Sequence, residues 1–139
     1  MNPIITERFN AVEEWLLQSS VIVAYEIVRQ EIGLVDGKLR VKVTFVDGSV
    51  AELFEYVTVS EASLNLSKYS FHWQDAQGGL KCRWDNAPHH PELPDAPHHK
   101  HNADQSVSGV STVLDIFGVL EEIEEGLGQS KADQYGDVA

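Results

Sequence analysis

Apolar residues recur at helical spacing at the start of the chain. Ile5, Phe9, Val12 and Leu16 share one face, Asn2 can cap the element, and Pro3 suits the first helical position. This predicts a helix over Pro3 to Gln18, broken by Ser19 and Ser20. From Val21 to Ile32 the residues turn β-branched and aromatic (VIVAYEIVRQEI), which favours a strand. Asp36-Gly37 and Asp47-Gly48 read as hairpin turns, because glycine readily takes positive φ. Between them Leu39, Val41, Val43 and Phe45 alternate with Arg40, Lys42 and Thr44, the pattern of a half-buried strand. Beyond the second turn Ala51, Leu53, Val57 and Val59 continue on one face, with Glu55 as the exception. The pattern predicts a three-stranded antiparallel meander.

Glu61 to Ser67 reads as a connection. Leu66–Gln74 and Leu80–Asp85 then form a hairpin around Asp75-Ala76-Gln77-Gly78-Gly79. Tyr69, Phe71 and Trp73 share a face that matches Leu80, Cys82 and Trp84. Keeping these aromatic residues together sets Trp73 opposite Cys82 and His72 opposite Arg83; a slip by one would bury His72 among the rings. On that register His72, Lys81, Arg83 and Asp85 project from the non-aromatic face. Asn86 to Asp104 carries four prolines and reads as a surface loop. A last helix starts near Ser108 or Ser111 and ends at Gly126, with Val110, Val113, Leu114, Phe117, Leu120, Ile123 and Leu127 as its apolar stripe. The fold class expected is α+β: a five-stranded antiparallel sheet, meander plus hairpin, packed against N-terminal and C-terminal helices. A His/Pro-rich loop joins the last strand to the last helix. Residues 1–128 make one domain and 129–139 a flexible tail.

The chain has 139 residues, 42% of them hydrophobic, enough for one domain with a real core. No apolar run is long enough to span a bilayer, the start lacks a secretory pattern, and Cys82 has no second cysteine to pair with. These features favour a cytoplasmic protein with no membrane role. The net charge of −12 opposes broad nucleic-acid affinity. It is unevenly placed, however. Between Lys68 and His101, Lys68, Lys81, Arg83 and Lys100 balance Asp75, Asp85, Glu92 and Asp95, so this segment can still hold a phosphate.

The same segment, Tyr69 to His101, contains all six histidines (His72, His89, His90, His98, His99, His101), two of three tryptophans and four of five prolines. Imidazole changes charge near neutral pH and ligates metals, so such clustering points to a site. A strand ending in YSFHWQD, a short glycine turn, RWDNAPHHPE and then PHHKH resembles the TumE family of small prokaryotic toxins. The match is dense over Tyr69 to His101, about a quarter of the chain. The resemblance implies a cytoplasmic toxin that acts on RNA and is held inactive by a cognate antitoxin.

Metal-independent cleavage of an RNA phosphodiester needs a base, an acid and a cation at the phosphate. His72 and one of His89, His90, His98, His99 or His101 can exchange protons, and Arg83 matches phosphate in a two-pronged way. Asp85 can orient a histidine or hold Arg83. Lys81 and Lys100 can add charge, Asn86 can bond a base edge, and Trp84, if exposed, can stack a base. By parity Trp73 and Trp84 belong to the core. No cofactor is needed for this chemistry. A divalent metal is the competing site: His98 and His101, three apart, can converge in a helix or turn, with His89 or His90 completing the set. The other class of function is a non-catalytic module that recognises a protein partner or metal ion through the same segment. The sequence leaves a homodimer open.

Overall fold

The structure, a computed structural model, describes residues 1–86, 98–109 and 115–135. Helix α1 (Pro3–Gln18) is followed by strands β1 (Ile22–Ile32), β2 (Asp36–Phe45), β3 (Val50–Ser60), β4 (Ser63–Gln74), β5 (Leu80–Asp85), β6 (His99–Asn102) and β7 (Val107–Gly109), then helix α2 (Ile116–Tyr135). Each strand pairs antiparallel with the next, giving one sheet in the order β1 to β7. The α+β class and both helices agree with the sequence pattern. The sheet does not stop at five strands: β6 and the three-residue β7 extend it. All four prolines of the segment precede His99, so nothing in the backbone prevents pairing from there on.

Local chemistry accounts for α1. The Asn2 side chain accepts from the backbone N–H groups of Ile4 and Ile5, and Ile5, Phe9, Val12 and Leu16 are buried. They pack with Leu39, Val41, Val43, Phe45, Leu53, Val57, Tyr69, Phe71 and Trp84 of the sheet and Ile116, Val119, Leu120 and Ile123 of α2. Strand burial alternates residue by residue along β2, so the sheet buries one face under both helices and leaves the other open.

Three local readings need correction. Asp36 and Gly37 are not a turn: both lie inside β2, and Gly37 pairs with Ile32 and Val57. Its glycine is needed because α1 crosses it; a Cβ there would sit 2.7 Å from Cγ2 of Ile5. Glu61 to Ser67 is not a long connection either. Ser60 pairs with Ser63, and the turn is only Glu61-Ala62, both left-handed at φ 52° and 62°. That is the geometry of a tight hairpin turn built without glycine. Finally, α2 begins at Ile116 rather than near Ser108 or Ser111, and passes Gly126 and Gly128 to reach Tyr135. The Asp47-Gly48 turn is as expected, with Gly48 at φ 85°.

Candidate functional site

Five neighbouring strands place a row of polar side chains across the open face. Lys42 of β2 pairs with Glu52 of β3, Glu52 with His72 of β4, His72 with Arg83 of β5, and Arg83 with His101 of β6. The register expected between β4 and β5 is the one found, including Trp73 opposite Cys82. Arg83 is flanked by an imidazole-bearing residue on each side, and strands so placed put His72 and His101 roughly 10 Å apart.

Asp85 ties the row together. Its Oδ2 accepts from Nε and Nη2 of Arg83, both at 3.2 Å, and lies 3.6 Å from Nε2 of His101. The carboxylate is buried at 3% exposure, whereas the Arg83 side chain keeps 43% of its surface in solvent. One buried carboxylate thus holds a half-exposed guanidinium and lies beside an imidazole that is 24% exposed, with its Nε2 buried. Beside His72 a small hollow of about 90 Å³ is lined by Lys42, Val50, Glu52, His72 and Gln74. Glu52 is a site residue that sequence reasoning missed. The tight Glu61-Ala62 turn and the register shift that skips Ser67 together bring it opposite His72, and neither carries a glycine signal.

Other candidate residues lie elsewhere. Trp84 is 2% exposed with the Lys100 ammonium 5.4 Å from its ring centre, so it is core and offers no free face to a base. Lys100 also approaches Glu122 of α2 at 3.7 Å, which places it on the helix side. Asn86 is spent on the hairpin end: its Oδ1 accepts from Tyr69 N–H and its Nδ2 donates to the Ser67 carbonyl. Lys81 falls where the β4–β5 register shifts and does not line up with Arg83. Its ammonium sits 4.3 Å from the Trp73 ring centre and 3.8 Å from Asp47. At Asp47 burial opposes ionisation, but hydrogen bonds from Ser49 and the charge of Lys81 outweigh it and hold the carboxyl below its usual range.

The histidines divide. His98 Nδ1 is 3.0 Å from the Tyr69 hydroxyl and its ring stacks on that phenol, on the helix side of the sheet. Desolvation, with the charge of Asp85, pushes Tyr69 up to about 12, so it stays a neutral hydroxyl. His99 pairs through its backbone with Asp85, and His89 and His90 lie outside the described residues. Because the chain is extended from His98 to His101, a three-residue spacing sends the two rings to opposite faces. They cannot converge on one ion as they would in a helix. Among the described residues no group of three His, Cys, Asp or Glu side chains could hold a metal. Cys82 is buried, and desolvation pushes its thiol up to about 11 against the opposing charge of Lys100.

A family model described as Toxin TumE matches residues 12–127, which span the whole sheet and most of α2. The chain belongs to the TumE toxin family. No curated protein and no solved structure matches it. The match extends the TumE likeness well beyond the histidine-rich segment, to the helix and meander that carry it. Among the described residues of this TumE-family chain, no helix is long and apolar enough to cross a membrane.

Proposed function

We propose that this TumE-family toxin cleaves RNA in the cytoplasm at the row His72–Arg83–His101, and that a cognate antitoxin holds it inactive. Arg83 binds a non-bridging phosphate oxygen. One of the two flanking imidazoles takes the proton of the ribose 2′-hydroxyl as its oxygen attacks phosphorus. The other gives a proton to the departing 5′-oxygen, leaving a 2′,3′-cyclic phosphate. Asp85 orients His101 and Arg83, and Glu52 borders the hollow beside His72. The observation that carries this reading is the register setting Arg83 between two histidines, with the buried Asp85 in reach of both Arg83 and His101. The charge balance supports it as well: the −12 lies mostly away from this row, so one phosphate can be held without general affinity for RNA.

The test is purified protein incubated with a defined RNA, with and without a chelator. Cleavage should persist in chelator and fall at least about a hundredfold in His72→Ala and in His101→Ala. RNA left intact by folded wild-type protein rejects the nuclease. A second reading, a non-catalytic surface that recognises a protein partner or metal ion, is favoured by the engagement of Arg83 Nε and Nη2 on Asp85. It expects intact RNA but a partner whose binding is lost in Arg83→Ala.

A further inference from the structure

The exposed apolar side chains gather at one end of the sheet. Among the described residues Val23 and Val28 lie on β1, Leu34 and Val35 in the turn that follows it, and Leu17 and Val46 beside its start. Leu34 is 80% exposed. Strand β1 ends the sheet order, runs for 11 residues and contains no proline. Such an edge presents unpaired backbone donors and acceptors, and proteins usually blunt it with charge or proline. Strand β1 does carry Glu26, Arg29 and Glu31, but the β1–β2 register skips Val23 and Val28, and both bulge positions are exposed valines.

We propose that β1 is the interface between two copies of this chain, paired antiparallel about a two-fold axis between Ile27 and Val28. In that register Glu26 lies opposite the partner's Arg29, and Arg29 opposite the partner's Glu26. Glu26 pairs with Lys42 and Arg29 with Arg40, so both belong to the open face. Residues three apart share a face only because of the bulge at Val28. The bulge therefore makes the strand self-complementary instead of defective. Allowing for the bulge at Val23, the same register sets Ile22 opposite the partner's Ile32. The partner's Leu34 then follows beside a hollow of about 300 Å³ lined by Leu16, Leu17, Ile22, Val23, Ala24 and Tyr25, twice per dimer. The net charge does not oppose the pairing, since exposed charges more than about 8 Å apart are largely screened at physiological salt. Arg29 holds Glu31 within its own chain, an exposed pair that exchanges partners at little cost.

Sedimentation equilibrium of the whole chain tests this. Wild type should reach twice the 15.5 kDa chain mass, and Leu34→Glu should weaken association about tenfold or more. Glu26→Arg creates two like-charge contacts per dimer and should weaken it comparably, while Glu26→Arg combined with Arg29→Glu should recover it. Circular dichroism confirms that each variant is folded. A wild-type monomer at every concentration overturns the proposal and leaves the edge to a different protein. A dimer indifferent to Glu26→Arg, or not recovered by the double exchange, overturns it too.

Discussion

Arg8 on α1 grips Glu55 on β3 with both prongs: Nε donates to Oε1 at 3.0 Å and Nη2 to Oε2 at 2.9 Å. Glu55 is 0% exposed, and its Oε2 also accepts from the Ile116 N–H at the start of α2. Arg8 in turn lies 3.7 Å from Asp115 and over the Phe117 ring. One buried carboxylate therefore joins the sheet to both helices, at a position where strand alternation calls for an apolar residue.

Arg8→Ala leaves that carboxylate buried without its guanidinium. The expected loss is about 3 kcal/mol, read as a lower urea midpoint. Glu55→Gln keeps an acceptor for Ile116 and should lose less. If Arg8→Ala melts like wild type, the pair is not what joins the helices to the sheet.

The Glu61-Ala62 turn holds two non-glycine residues in left-handed backbone. Ala62→Gly removes the steric cost at that position and should raise stability by about 1 kcal/mol. At Gly37 the sign reverses. Gly37→Ala drives a methyl to 2.7 Å from the buried Ile5 and should destabilise by about 1–3 kcal/mol. Urea titrations of the two variants should move in opposite directions.

Burial keeps Tyr69 and Cys82 protonated in the fold, up to about 12 and about 11, whereas the unfolded chain releases these protons at about 10 and 8.5. Above those values the unfolded state binds fewer protons, so stability must fall as pH rises. Their stabilising contribution is complete below about pH 8.5 and lost progressively toward about pH 12. Tyr69→Phe should flatten the upper part of this decline in thermal melts taken across alkaline pH. Native protein should also react slowly with a thiol reagent at neutral pH and quickly once unfolded.

Growth arrest separates the histidines. His101→Ala should relieve toxicity as fully as His72→Ala, because both flank Arg83 in the sheet. His98→Ala, which removes only a partner of Tyr69, should stay toxic at nearly wild-type level. Equal relief by all three would dissolve the distinction drawn from their faces.

Much of the sheet was legible because strand alternation reports burial directly. Tyr69, Phe71 and Trp73 against Cys82 and Trp84 fixed the β4–β5 register, and with it the meeting of His72 and Arg83. Strands β6 and β7 were not legible. His99-Lys100-His101-Asn102 has no apolar alternation, and it is placed by backbone pairing to β5 rather than by a side of its own to bury. Trp84 was readable as core from parity, while Lys81 was misplaced because nothing local announces the register shift that displaces it.

From its sequence alone this protein had an amphipathic first helix, an antiparallel meander and a histidine-dense segment with the TumE likeness. Those features depend on residues near one another in the chain. That His101 is the second histidine beside Arg83, and why Glu55 is charged, were decided only by tertiary structure. Both depend on pairing between segments far apart in sequence, where hydrogen bonds and burial are settled by the whole sheet and its helices together.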